Sequence, residues 1–176
     1  KKVSAVIACR VNSSRMYGKP LQILENYKII DVLIEQIKKS QIISDIVLAI
    51  SEKPENQIFI DYAIKNKLKF VIGDENDVLS RLIEGGKSTN SDIIFRATSD
   101  CPFIYWEGID NLIQKHVSGK YDFSIYDKLP LGSFYEVINL ESLIISHEKG
   151  KKKHRSELCS LYINEHKNKF KINRIL

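Results

Sequence analysis

The chain has 176 residues, a length that suits one domain with its own core. Its 43% hydrophobic and 28% charged content is that of a globular protein, and no apolar run nears the roughly 20 residues that cross a bilayer. The net charge of +5 favours anionic partners only weakly, and three cysteines without a C-x-x-C pair argue against a disulfide framework or a zinc site.

The first predicted element is a strand over Val3–Ala8, an unbroken apolar run of the kind buried on both faces. It leads directly into a loop carrying Arg10, Arg15 and Lys19, with Asn12, Ser13, Ser14 and Gly18 between them. Three cations on one loop repel one another and call for an anion. Arginines can grip phosphate oxygens two at a time, Lys19 adds a point charge, and Ser13 and Ser14 add neutral donors. A basic surface loop making salt bridges is the competing explanation. The loop matches neither G-x-x-x-x-G-K-[ST], because Pro20 follows Gly18-Lys19, nor G-x-G-x-x-G.

Ile30, Leu33, Ile34 and Ile37 fall at i, i+3, i+4 and i+7 and predict an amphipathic helix. A strand follows over Asp45–Ile50, then a helix opened by Pro54 and running to Asn66. Lys69–Ile72 is the next strand. After it comes Gly73-Asp74-Glu75-Asn76-Asp77-Val78-Leu79-Ser80-Arg81, where Asp77 suits either a helix N-cap or a ligand role. Arg81 can pair with Asp77 or point into a cleft. Val78, Leu79, Leu82 and Ile83 mark a helix that Gly85-Gly86 is expected to stop.

A fourth predicted strand, Asp92–Phe95, runs into Arg96-Ala97-Thr98-Ser99-Asp100-Cys101-Pro102. There Asp100 is either a Mg²⁺ ligand beside a polyphosphate or a carboxylate capping the turn at Pro102. A helix with the stripe Ile109, Leu112, Ile113 and Val117 ends at Gly119, and Tyr121–Tyr126 is a strand. Beyond Asp127 the rhythm changes to a strand over Ser133–Ile138, helices over Leu140–Glu148 and Ser156–His166, and a final strand from Phe170. Glu136 is a second acidic candidate or a solvated strand residue. The four histidines read as peripheral or helix-facing, and no Ser/His/Asp or Cys/His set emerges. The run Lys151–Arg155 lacks interleaved aromatics, so it reads as a solvated loop and not a nucleic-acid patch.

Strand–helix alternation at this spacing predicts an α/β three-layer sandwich around a mostly parallel sheet, with its ligand at the strands' carboxyl ends. One domain spans 1–176, with a core over 1–127 and an added lobe over 128–176. The missing initial Met and the strand-like end suggest a piece of a longer protein. No leader-like segment precedes Val3, so a cytoplasmic protein without a membrane partner is expected.

Three motifs in order carry a resemblance over most of the chain. They are Ala8-x-Arg10-x-x-Ser13-x-Arg15-x-x-Gly18-Lys19-x-Leu21, then Gly73-Asp74-Glu75-x-Asp77-Val78-Leu79-x-Arg81, then Arg96-x-Thr98-x-Asp100-Cys101-Pro102. Together they resemble the cytidylyltransferases that make CMP-activated sugars, most closely the spore-coat-polysaccharide type. The resemblance implies a nucleotide-diphospho-sugar transferase-like fold. It implies transfer of CMP from CTP to a sugar or sugar acid with release of pyrophosphate, for glycan or polysaccharide synthesis, by a homodimer. It places Arg10, Lys19 and Asp100 in catalysis, Asp100 on Mg²⁺, and Ala8, Arg10, Ser13, Arg15, Lys19, Asp77, Arg81 and Arg96 around the nucleotide. A nucleotide-sugar-using glycosyltransferase or a non-catalytic nucleotide-binding homologue on the same fold is the alternative. Several positions depart from the pattern. Asn12 stands where glycine is common, and Phe134 where the subgroup is acidic. Ser156-Glu157-Leu158 stands in place of Arg-Glu-His. The last two changes fall on the acceptor side.

Overall fold

Strand β1 (Val3–Cys9) is the axis on which the sheet is built, and the computed structural model describes residues 1–12 and 17–176. Alternation along β1 feeds two cores. Val3, Ala5, Ile7 and Cys9 face one layer of helices, and Val6 faces the other. Both faces are covered, which is why the run is continuously apolar.

After β1 a 3-10 turn (Lys19–Leu21) leads into a small hairpin, β2 (Ile23–Leu24) and β3 (Tyr27–Lys28), which the sequence pattern did not reveal. Helix α1 (Ile29–Ile37) buries the expected Ile30, Leu33, Ile34 and Ile37. Strand β4 (Ile43–Ser51) follows, then α2 (Gln57–Lys65), which a 3-10 turn at Pro54–Asn56 precedes, so the α-helix starts three residues later than Pro54 suggests. Next come β5 (Lys69–Gly73), α3 (Val78–Ser88), β6 (Ile93–Ala97), α4 (Ile109–Ser118) and β7 (Phe123–Tyr126). The chain closes with β8 (Tyr135–Asn139), α5 (Leu140–Lys149), α6 (Leu161–Glu165) and β9 (Ile172–Ile175).

Among the described residues the main sheet has seven strands in the order β5-β4-β1-β6-β8-β7-β9. Pairings β5–β4, β4–β1, β1–β6 and β7–β9 are parallel, and β8 runs against both neighbours. The fold is therefore the expected α/β sandwich with a mostly parallel sheet. The segment after Asp127 supplies β8 and β9 to this same sheet and α5 and α6 to the α3 face. Because only β8 is reversed, the carboxyl ends of β1, β4, β5 and β6 open on the same edge as the loop entering β8.

The predicted stop at Gly85-Gly86 does not occur, since α3 runs through both to Ser88. The glycines serve packing instead. A Cβ at Gly85 would lie 2.5 Å from Val6 Cγ1, and one at Gly86 would lie 2.6 Å from Ile94 Cδ1. The helix axis thus sits closer to β1 and β6 than any side chain allows, at a helix-propensity cost of about 1 kcal/mol per glycine. The predicted Ser156–His166 helix shrinks to Leu161–Glu165 behind a turn. In α4 the stripe ends on His116, which is 1% exposed, while Val117 faces outward. The histidines are therefore not all peripheral. His116 Nδ1 is 2.9 Å from Ser124 Oγ and Nε2 is 3.1 Å from Asn139 Oδ1, and His154 is also buried, against Glu165.

Two stability predictions follow from this packing. Gly85→Ala forces Val6 aside, and urea unfolding is expected to record a loss of about 1–3 kcal/mol. Burial holds the His116 pKa below its ordinary 6.5. The unfolded chain therefore takes up this proton first, and His116 contributes stability above pH 6.5 that is lost as pH falls through the window below it. Urea midpoints from pH 8 to pH 5 are expected to fall less steeply in His116→Gln than in the parent chain.

Candidate active site

The carboxyl ends of β1 and β6 and the first turns of α3 surround a cleft of about 580 Å³. Ala8, Arg10, Lys19, Arg81, Arg96 and Asp100, all singled out from the sequence, line it. Ser13 and Arg15 lie outside the described residues. Asp77 is not among the lining residues. Its Oδ1 accepts from Ser80 N at 2.9 Å as the N-cap of α3, and its Oδ2 is 2.7 Å from His147 Nε2 and 3.7 Å from Arg155 Nε. A carboxylate with this many partners is a structural anchor joining α3 to α5 and the turn after it.

The loop after β1 is held from beneath. Val11 N donates to Oδ1 of buried Asn56 at 2.7 Å, and Gly18 N donates to Val11 O at 2.9 Å. Gly18 has φ of +60°, a left-handed conformation that suits glycine, and it starts the 3-10 turn that carries Lys19. Asn12 is not in that region. Its side chain donates to Glu55 Oε1 at 2.5 Å, so replacing glycine there strains nothing. Asn56 escapes notice in sequence because only a contact 45 residues away reveals its role.

Among the described residues, three ion pairs engage the cationic side chains of the cleft. Lys19 Nζ is 2.9 Å from Asp100 Oδ2, and Arg10 Nη2 is 3.4 Å from Glu157 Oε2. Arg96 Nη1 is 3.3 Å from Glu136 Oε2, while its Nη2 donates to Glu157 O at 2.8 Å. Buried Glu136 also accepts from Ser160 Oγ at 2.5 Å, so this carboxylate positions Arg96 and is not available as a ligand. Glu157 was not singled out from the sequence. It stands where the subgroup pattern also has Glu, so the alignment of motifs carried that signal.

Arg81 differs from the other cations. It is 1% exposed, and its Nε and Nη1 are buried with no hydrogen-bond partner among the described residues. Desolvation pulls its pKa below the ordinary arginine value. A Cβ at Gly73 would lie 3.0 Å from Arg81 Cγ, so this glycine leaves room for the arginine stem. A buried guanidinium without a counter-ion costs several kcal/mol and awaits an anion. With four cations and two carboxylates, Asp100 and Glu157, on its described lining, the cleft is electropositive.

A metal fits here only in company. No three His, Cys, Asp or Glu among the described residues come together as a cation cage. Asp100 is the one lining carboxylate at the end of β6. A single carboxylate is the donor set of Mg²⁺ that arrives on phosphate oxygens, not of a metal held by protein alone. Nucleophilic cysteine chemistry is not offered: burial pushes the Cys9 thiol up to about 12 and Cys159 to about 11, so both stay protonated. Among the described residues no helix is long and apolar enough to cross a membrane.

A family model described as cytidylyltransferase matches residues 4–176. The spore coat polysaccharide biosynthesis protein SpsF of Bacillus subtilis is 30% identical over 92% of this chain and 69% of its own length. The solved structure of a cytidylyltransferase from Leptospira borgpetersenii superposes with a TM-score of 0.90 at 25% identity, covering 98% of this chain and 75% of that one. A CMP:2-keto-3-deoxy-manno-octonic acid synthetase complexed with CTP shares the fold, with a TM-score of 0.77 at 14% identity over 99% of this chain and 89% of its own.

Removing the unpaired cation is expected to separate stability from binding. Arg81→Met keeps the stem and discards the buried charge, so thermal unfolding should shift upward or stay level. Calorimetry with tripolyphosphate should show affinity falling by about tenfold or more, as for a lost charge-assisted contact.

Proposed function

We propose that this chain, which belongs to the cytidylyltransferase family, moves CMP from CTP to a hydroxyl of a sugar or sugar-acid acceptor, releases pyrophosphate, and serves glycan or polysaccharide synthesis. The observation that carries this reading is Arg81, a buried cation whose Nε and Nη1 have no partner among the described residues, in a cleft also lined by Arg10, Lys19 and Arg96. A triphosphate supplies the negative charge that all four need. The family, and the spore coat polysaccharide biosynthesis role of the Bacillus relative, support cytidine as the base and a sugar as the acceptor.

The ion pairs of Lys19 with Asp100 and of Arg10 with Glu157 are of the exchangeable kind. When CTP enters, Lys19 trades Asp100 for phosphate oxygens, and Arg10 trades Glu157 for the same. Both pairs are part-exposed, so their loss costs little, about 0–1 kcal/mol each. Arg96 stays oriented by Glu136. Ser13 and Arg15 extend the same loop as further phosphate donors, and Ala8 keeps the wall at the end of β1 low enough for the nucleotide to lie against it. Asp100, freed from Lys19, is the residue that would hold Mg²⁺. Bound there with the phosphates, the ion supplies charge neutralisation and polarises a phosphoryl oxygen.

The reaction then needs little covalent help from the protein. The acceptor oxygen attacks the α-phosphorus, the bond to the pyrophosphate oxygen breaks, and the acceptor proton leaves to solvent. The four cations offset charge as it gathers on the departing pyrophosphate, and the cleft holds the two reactants in line.

Titration calorimetry with each of the four ribonucleoside triphosphates in Mg²⁺ tests the reading. CTP is expected to bind, to weaken by about tenfold in Arg15→Ala, and to lose its Mg²⁺ dependence in Asp100→Asn. Binding of another triphosphate with none of CTP would sink the cytidine assignment.

A further inference from the structure

Arg96 lines the cleft, but the groups that hold it lead away from the cleft. Arg96 on β6 and Glu136 on β8 are register partners across antiparallel strands, so their side chains share one face of the sheet. Glu136 is buried, and both of its oxygens are engaged. Oε2 takes Arg96 Nη1 at 3.3 Å, and Oε1 takes Ser160 Oγ at 2.5 Å. Behind Ser160 stand Asn164 on α6 and Arg174 on β9. Asn164 Nδ2 donates to Ser160 O at 3.0 Å and to Ser160 Oγ at 3.3 Å. Arg174 Nη2 donates to Asn164 Oδ1 at 2.6 Å, and its Nη1 is held by Asp127 Oδ1 at 2.6 Å.

The chemistry of these groups allows one direction only. A guanidinium donates and cannot accept, so Asn164 must turn its oxygen to Arg174 and its NH₂ to Ser160. The NH₂ occupies a lone pair of the hydroxyl, which leaves the Ser160 proton to point at Glu136. Each bond from Arg174 to Glu136 therefore donates in the same sense, and hydrogen bonds aligned in this way polarise and strengthen one another. Ser160 gives up its usual task to take part. It stands at the N-cap of α6, where a serine ordinarily accepts from the first free N–H groups of the helix. Among the described residues its side chain makes no capping bond, because the hydroxyl is turned to Glu136.

We infer that Ser160 and Asn164 are positioning residues, which hold the Glu136 carboxylate in the pose that aims Arg96 at bound phosphate. Neither lines the cleft, so both act through Arg96. Without the Ser160 proton, Glu136 Oε1 is left buried with no donor, and the carboxylate turns to find one and draws Arg96 with it. This inference rests on reading the cleft as a triphosphate site and deepens that reading.

The test is calorimetry of the full chain with inorganic tripolyphosphate, with thermal unfolding measured alongside. Ser160→Ala is expected to weaken binding about fivefold and Arg96→Gln about tenfold, as for loosening and then losing one charge-assisted contact. The double variant is expected to bind no more weakly than Arg96→Gln alone, the non-additivity of residues that work as one unit. Asn164 supplies a readout that a merely structural role would not give. Asn164→Ala leaves the Ser160 proton free to reach Glu136, so affinity should stay within about twofold of the parent. The carboxylate in Asn164→Asp can only accept, so it gains a charged partner in Arg174 and draws the Ser160 proton away from Glu136. Binding should then weaken about fivefold with no fall in melting temperature, and that loss too should vanish beside Arg96→Gln. Unchanged affinity in Ser160→Ala, additive losses beside Arg96→Gln, or a loss in Asn164→Ala as large as in Asn164→Asp each overturns the inference while the parent chain still binds. Should Ser160→Ala fail to fold, the two Asn164 variants decide. No binding of tripolyphosphate by the parent overturns the triphosphate reading beneath, and this inference with it.

Discussion

Helix α3 lies so close to the sheet that side chains cannot fit between them at two successive positions. Gly85 and Gly86 meet Val6 and Ile94 directly, and at the other end Gly73 gives way to the stem of Arg81. This close approach sets the height of the helix over β1, β4 and β5. It also sets where Arg81 emerges, beneath the carboxyl ends of the strands and sealed from water. Asp77 fixes the start of the same helix by capping it and binding His147. The buried cation of the cleft is thus positioned by glycines and a cap, none of which lines the cleft.

The cleft above Arg81 stores its charge in pairs. Lys19 with Asp100 and Arg10 with Glu157 neutralise each other across the opening, which relieves the repulsion among the cations that the sequence brings together. Partly solvated pairs of this kind are weak and exchange readily. Arg96 with Glu136 is different, because burial and a third partner, Ser160, make that pair part of the framework. Two classes of ion pair therefore divide the work. The exposed ones can open at little cost, and the buried one keeps its arginine aimed.

Much of this was legible in the chain. Continuous apolar runs and i, i+3, i+4 stripes located β1, α1, β4, β5 and α3, because burial on both faces of a sheet and on one face of a helix leaves a local periodic mark. Arg10, Lys19, Arg81, Arg96 and Asp100, which line the cleft, were legible as candidates because each lies near the end of a strand or the start of a helix. Gly85-Gly86 was misread as a stop, since a glycine pair looks alike whether it ends a helix or lets one press against a sheet. His116 reads as peripheral or helix-facing, because a lone polar residue beside an apolar stripe gives no sign of partners at Ser124 and Asn139.

By itself the sequence determined the class of sheet, the end of it at which the cleft opens, and the gathering of cations there, because all three rest on short-range order along the chain. The tertiary structure alone decided which charges face one another. Only folding brings Lys19 to Asp100, Arg10 to Glu157 and Asn56 to the loop after β1, across separations of 81, 147 and 45 residues. The same folding gave Asp77 and Glu136 protein partners, and left Arg81 Nε and Nη1 buried with none among the described residues. Whether a polar group is satisfied depends on its neighbours in space, and no periodicity in sequence records that.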